Sequence, residues 1–176
     1  MSKLSERVHA LDDAVERWLE PRRTPTLDHL FYGLSSAADH GLLWHGVGVA
    51  RALQKRDAGY GLRFSAALGI ESAITNGAVK SLFRRVRPPD HFEHEAPLPY
   101  GMRRPITSSF PSGHAATAFM CASVLSADDG AAPGWFVLAS LVAASRVYVR
   151  MHHTSDVVGG AVLGLMLGKL ARRFLK

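Results

Sequence analysis

Apolar residues along this 176-residue chain gather into blocks, at about 30–53, 62–83, 113–127, 135–149 and 157–170. The period-two alternation of half-buried strands is nearly absent. Gly and Pro fall between blocks rather than inside alternating runs, so the pattern predicts an all-α protein. A bilayer crossing needs roughly 20 predominantly apolar residues. Several blocks are shorter or carry charges, and the mean hydropathy is only +0.03, so periodicity alone also permits a soluble helical bundle.

Ahead of the blocks, Leu4, Val8, Leu11, Val15 and Leu19 recur at helical spacing before Pro21 and Pro25, which predicts an amphipathic helix over 1–20. Its acids (Glu6, Asp12, Asp13, Glu16, Glu20) outnumber its bases (Lys3, Arg7, Arg17), unlike helices drawn to anionic lipid. Packing on the bundle or on a second subunit is the expected use. The first residues lack the apolar core of a signal peptide, which places the N-terminus in the cytoplasm as an expectation.

Length and the absence of repeats or linkers indicate one domain over 1–176. A net charge of +6 and a pI near 9.9 could suggest nucleic acid, but the basic residues are not interleaved with aromatics. Phosphorylated substrates and a membrane explain the balance better, and no nucleic-acid partner is expected. The single Cys121 excludes an intrachain disulfide and offers no zinc spacing. The proline-rich stretch 88–111 is long enough to serve as a substrate lid. Its His91 and His94 lack further ligands, so no metal is expected there.

Three clusters carry the chemistry: Lys80, Arg87 and Pro88; Pro111, Ser112, Gly113 and His114; and Ser145, Arg146, His152 and Asp156. Lys80 and Arg87 lie two helical turns apart and, with Arg146, can bring three cations to one anion. Ser112 precedes an apolar run as a helix N-cap, and Gly113 lets donors at the helix start approach an anion with His114 beside it. His152 and Asp156 are four apart, a spacing that lets the carboxylate accept from one imidazole nitrogen and leave the other free. Taken singly, these are a basic stretch, a capped turn and a surface pair. In order and together they describe a phosphate pocket with a histidine nucleophile.

The clusters resemble the signature of the type 2 phosphatidic acid phosphatase superfamily, Lys-x6-Arg-Pro, Pro-Ser-Gly-His and Ser-Arg-x5-His-x3-Asp, with every position filled between Lys80 and Asp156. The resemblance implies a metal-independent, cofactor-free phosphohydrolase working through a phosphohistidine. His152 would be the nucleophile, Asp156 its orienting partner, and His114 the general acid that later activates water. Lys80, Arg87, Ser112, Gly113 and Arg146 would hold the phosphoryl oxygens. It also implies a multi-pass cell-membrane protein, a bundle of about five transmembrane helices with the pocket at its interface end, acting on a lipid-linked phosphate.

Short length, Ala/Arg/Gly-rich composition and the N-terminal helix are similar to the actinobacterial decaprenylphosphoryl-5-phosphoribose phosphatases. Undecaprenyl diphosphate and phosphatidylglycerophosphate are the alternatives within the same chemistry. Vanadate-dependent haloperoxidases, generally larger and soluble, share the pocket residues and form the reading from another class. With five crossings, the N-terminus, the 80–111 loop and the 146–156 loop share one face, expected to be cytoplasmic.

Asp39, His40, His45 and Glu71 fall inside the expected crossings, where internal polar contacts between helices are their expected use. Gly160, Gly164 and Gly168 repeat every four residues and are expected to pack helices within the bundle rather than across a homo-oligomer seam.

Overall fold

The computed structural model describes residues 3–89 and 106–175; the 90–105 part of the expected lid, with His91 and His94, lies outside the described residues. Seven α-helices follow in chain order: α1 (Lys3–Leu19), α2 (Pro25–Ala37), α3 (Leu42–Lys55), α4 (Ala58–Ser72), α5 (Gly113–Asp129), α6 (Ala132–Tyr148) and α7 (Thr154–Ala171). Among the described residues there is no strand. Their boundaries follow local chemistry. Thr24 caps α2 through Leu27 N–H, with Pro25 in the first turn, and Asp57 caps α4 through Tyr60 N–H. Gly130, at φ 73°, ends α5 in the left-handed conformation that glycine adopts without strain.

The apolar block 30–53 is not one helix. It breaks at Asp39–Gly41, where His40 and Gly41 take φ values of 53° and 73°. This turn brings Asp39 beside His114 and Arg146. The block 62–83 continues past α4 through a π-helical stretch, Ala73–Val79, which widens the turn just before Lys80.

α5 is the axis of the bundle and packs chiefly against α6 and α7. Its buried positions are mostly small: Ala115, Ala116, Ala118, Cys121 and Ala122. From α7, Gly160 and Gly164 lie against the α5 backbone so closely that a Cβ on either would meet Ser112 O at 2.4 Å or Ala116 O at 2.1 Å. The glycine stripe therefore packs within the bundle. Larger apolar side chains point outward from the same helix, Val158, Val162, Met166 and Leu170 being 52–62% exposed. Small residues inside and large apolar ones outside are the arrangement that helix packing in lipid favours, where close backbone approach drives association. Among the described residues, α7 is the one helix long and apolar enough by itself to cross a bilayer.

α1 docks by its acidic face. Asp12 is fully buried, Glu16 meets His153 Nδ1 at 3.1 Å, and just past the helix end Glu20 meets Arg150 at 2.8 Å, while Leu4, Leu11 and Trp18 stay exposed. The excess of acids on this helix thus answers the basic loop between α6 and α7, so that of the two expected packings, on the bundle or on a second subunit, the structure shows α1 on the bundle.

Candidate active site

The three clusters converge at one end of the bundle. Lys80 stands in the last turn of the helical path that began with α4, and the chain runs irregularly through 83–89. Arg87 is therefore not on a helical face with Lys80, contrary to the two-turn spacing expected. The residue before a proline is disfavoured in helix. Bonds to the returning segment fix the irregular path: Arg85 N donates to Ser108 Oγ, and Ser109 N donates to Arg85 O at 2.9 Å. Arg87 still reaches the site. Its Nη1 donates to Met151 O at 2.6 Å and lies 3.4 Å from His152 Nε2.

α6 delivers Arg146, which is 4% exposed. One arm bonds Ser35 Oγ on α2, while Nε is buried without a hydrogen-bond partner. Lys80, Arg87 and Arg146 lie within electrostatic reach of one another. Three cations held together in a largely buried site need an anion to balance them.

Ser112 occupies the N-cap position of α5, as expected, but its side chain does not cap. The Oγ is buried without a partner, and the Ser112 backbone N–H donates instead to Asp156 O at 3.0 Å. This bond ties the start of α5 to the start of α7. Gly113 begins α5, and a Cβ there would meet Asn76 Oδ1 at 2.7 Å, so the close approach it permits is to Asn76 of the π-helical stretch. His114 follows in the first turn.

His152 lies in the loop before α7, held by its backbone N–H to Arg146 O at 3.1 Å. Its Nε2 faces Arg87 and its Nδ1 faces Asp156 Oδ2 at 3.7 Å, an ion-pair distance rather than the expected hydrogen bond. The two are not on one helical face, because α7 begins at Thr154 and Asp156 is its N3 residue. Asp156, fully buried, spends its oxygens on His153 N–H at 2.9 Å and Arg85 Nη1 at 2.6 Å. Burial depresses the His152 imidazole to about 3, with the fields of Arg146 and Arg87 adding to the effect and Asp156 opposing it. The ring is neutral at working pH, with a lone pair available at nitrogen.

Asp39 is the neighbour that the sequence reading placed elsewhere. Expected as a contact within a crossing, it stands in the α2–α3 turn with Oδ1 2.9 Å from His114 Nε2 and 4.0 Å from Arg146 Nη1. The His114 contact is close but not aligned as a hydrogen bond. Partial burial works against the Asp39 charge, yet His114 and Arg146 outweigh it and hold the carboxyl below its ordinary range. The Asp39-His40-Gly41 tripeptide, with glycine inside an apolar block, was the available signal for a turn there. Glu71 does form an internal contact, accepting from Thr75 at 2.7 Å and Thr117 at 2.6 Å. His45 likewise meets Ser65 across α3 and α4 at 3.2 Å.

Arg85 and Asp12 also belong to this end of the molecule and were not singled out from the sequence. In the sequence Arg85 is one base within a basic run, and Asp12 is one acid among several on an amphipathic helix. Among the described residues no group of three or more His, Cys, Asp or Glu comes together as a metal site.

The PAP2 superfamily family model matches residues 60–176. A curated relative, lipid A 1-phosphatase from Porphyromonas gingivalis, is 37% identical over 79 residues, which cover 40% of this chain and 18% of that protein. The chain thus spans less than a fifth of that relative's length. Among solved structures, a transmembrane PAP2-type phosphatidylglycerolphosphate phosphatase from Bacillus subtilis superposes with a TM-score of 0.74 at 26% identity, covering 96% of this chain and 86% of that one. LpxE from Aquifex aeolicus superposes with a TM-score of 0.73 at 24% identity, covering 93% of this chain and 95% of its own.

Proposed function

The chain belongs to the PAP2 superfamily, and from that premise we propose that it is a multi-pass membrane phosphatase removing a phosphomonoester from a lipid through a phosphohistidine at His152. The observation that carries this reading is the setting of His152: a buried imidazole with Nε2 facing Arg87 and Nδ1 facing Asp156. A phosphate seated among Lys80, Arg87, Arg146, Ser112 Oγ and the first N–H groups of α5 presents its phosphorus to Nε2. Attack forms the N–P bond as the P–O bond to the lipid breaks, and His114 protonates the departing oxygen. Positive charge developing on the His152 ring is met by Asp156. His114, now neutral, accepts a proton from the water that cleaves the N–P bond and restores His152.

Charge on the transferring group is neutralised by the three cations, so no metal is required. Magnesium-assisted transfer would call for carboxylate ligands of its own. The outward apolar side chains of α7 and an apolar groove lined by Val15, Leu27, Phe31, Val147 and Val158 beside the catalytic loop suit a substrate with a hydrocarbon tail.

Within this class the first substrate reading is decaprenylphosphoryl-5-phosphoribose, supported by the Ala/Arg/Gly-rich composition and the amphipathic α1. Phosphatidylglycerophosphate is the second, supported by the likeness to the B. subtilis phosphatase over 96% of the chain. The test is turnover by protein purified in detergent against prenyl-linked sugar phosphates, undecaprenyl diphosphate and phosphatidylglycerophosphate. Release of phosphate from one of these, with no halide oxidation in the presence of vanadate and peroxide, supports the reading. Haloperoxidase activity without phosphate release refutes it.

A further inference from the structure

Asp12 lies on α1, outside the 60–176 stretch that matches the family, yet it is 1% exposed and faces the catalytic end. Its Oδ1 accepts from Ser155 N–H at 2.8 Å, and its Oδ2 accepts from Ser155 Oγ at 2.7 Å and from Arg85 Nη2 at 2.6 Å. The other arm of Arg85, Nη1, donates to Asp156 Oδ1 at 2.6 Å and to Ser155 Oγ at 2.6 Å. One planar guanidinium is thus forked between two buried carboxylates, the second of which faces His152.

We propose that Asp12 and Arg85 are positioning residues for the nucleophile, making α1 part of the catalytic apparatus. The inference rests on the phosphohistidine reading above. Two arguments support it. Burying two carboxylates and an arginine is a poor way merely to dock a helix, because desolvation offsets most of the Coulomb attraction and apolar contacts hold as well. What such a network supplies is orientation: with Arg85 on Oδ1 and the His153 N–H on Oδ2, the Asp156 carboxylate has one available plane.

The second argument is charge. Arg85 paired with Asp156 alone would cancel the carboxylate that must meet positive charge on His152 as the N–P bond forms. Asp12 takes half of the guanidinium and leaves the trio with a net charge of −1. The imidazolium formed in the attack then closes the count at zero. A neutral residue at Asp12 would leave Asp156 fully neutralised and the phosphorylated ring uncompensated.

The test compares Asp12→Asn, Arg85→Met and the double variant with wild type and His152→Ala, all full-length in detergent, using dioctanoyl phosphatidic acid as probe. Vanadate-binding sites are titrated so that rates refer to folded enzyme. Asp12→Asn keeps the shape and the acceptor for Ser155 N–H, and replaces the charged oxygen that accepts from Arg85 Nη2 and Ser155 Oγ by an amide NH2, which breaks the fork to Arg85. Its kcat is expected to fall about tenfold, and that of Arg85→Met about 10²-fold, the scale of an ångström-level misplacement, with KM and vanadate affinity within about twofold of wild type. The double variant is expected to be no worse than Arg85→Met, since Asp12 acts through Arg85.

An unchanged kcat per vanadate site in Asp12→Asn, or losses that multiply in the double variant, overturns the positioning role. Asp12→Asn decides the matter alone if Arg85→Met does not fold. A wild type that turns over neither this probe nor prenyl-linked sugar phosphates, undecaprenyl diphosphate or phosphatidylglycerophosphate, or an active His152→Ala, overturns instead the functional reading beneath it.

Discussion

Asp39 Oδ1 lies 2.9 Å from His114 Nε2, joining a turn between α2 and α3 to the first turn of α5. A carboxylate held below its ordinary pKa stays charged beside the histidine that must give up and retake a proton, and so opposes the burial and the Arg146 field that disfavour the imidazolium there. On an alkyl phosphate, Asp39→Asn is expected to lower kcat/KM, which reports the phosphorylation step, about tenfold, equivalent to ~1.4 kcal/mol, and His114→Ala about 10²–10⁴-fold. On an activated aryl phosphate, whose leaving group needs no proton, both losses shrink. Equal losses on the two substrates would remove Asp39 and His114 from the acid role.

His152 and His153 adjoin in sequence but respond to pH in opposite senses. Burial holds His152 at about 3, below an unfolded value near 6.5, so the native state resists protonation there. The stability this contributes is present above about pH 6.5 and lost as pH falls through the window toward 3. Nitrogen NMR of His152 in labelled protein should show a neutral imidazole at pH 5. A ring titrating near 6.5 would contradict the buried setting.

His153 is partly buried, which lowers its pKa, but Glu16 raises it more. Its folded value therefore lies above the unfolded one, so this contact stabilises α1 docking fully below the ordinary imidazole range and ceases to do so as pH rises through the raised value. Hydrogen exchange along α1 should quicken across that rise. Glu16→Gln should flatten the dependence, and an unaltered profile in that variant would assign the effect to another group.

At Gly164 an added Cβ would meet Ala116 O at 2.1 Å, against backbone that cannot step aside as a side chain can. Gly164→Ala should destabilise the bundle by about 1–3 kcal/mol through overpacking of α5 on α7. Gly134→Ala, where nothing lies within 4 Å, is the control. Equal thermal stability of the two variants in detergent would refute the close-packed seam.

The pocket was legible because Lys80, Ser112, Arg146 and His152 carry their chemistry in residue type and order, which survive without coordinates. The all-helical class was legible from block patterning. The residues that were missed act through contacts across long stretches of chain. Asp12 reads as a solvated acid until α1 is laid on the start of α7, and Arg85 reads as one base among several until the irregular 83–89 path aims it at two carboxylates. The 39–41 break was hidden because two short apolar helices, α2 and α3, abut with a three-residue turn and sum to the length of one crossing. Lys80 and Arg87 were placed on one face because spacing alone does not show that the helix ends between them.

Magnesium-free turnover follows from the clamp: activity should persist in EDTA and be strongly inhibited by vanadate, which adopts the geometry of the transferring group. Loss in EDTA with recovery on one divalent ion would contradict charge neutralisation by Lys80, Arg87 and Arg146.

The most direct measurement is to mix the His114→Ala variant in detergent with an activated aryl phosphate, whose leaving group needs no proton, quench at alkaline pH where phosphohistidine survives, and locate the modification by peptide mass spectrometry. Without His114 to activate water, the phosphoenzyme should accumulate, with one phosphoryl group on His152 and none when His152→Ala is added. Phosphate on another residue, or full turnover by His152→Ala with no phosphoenzyme, would contradict the account.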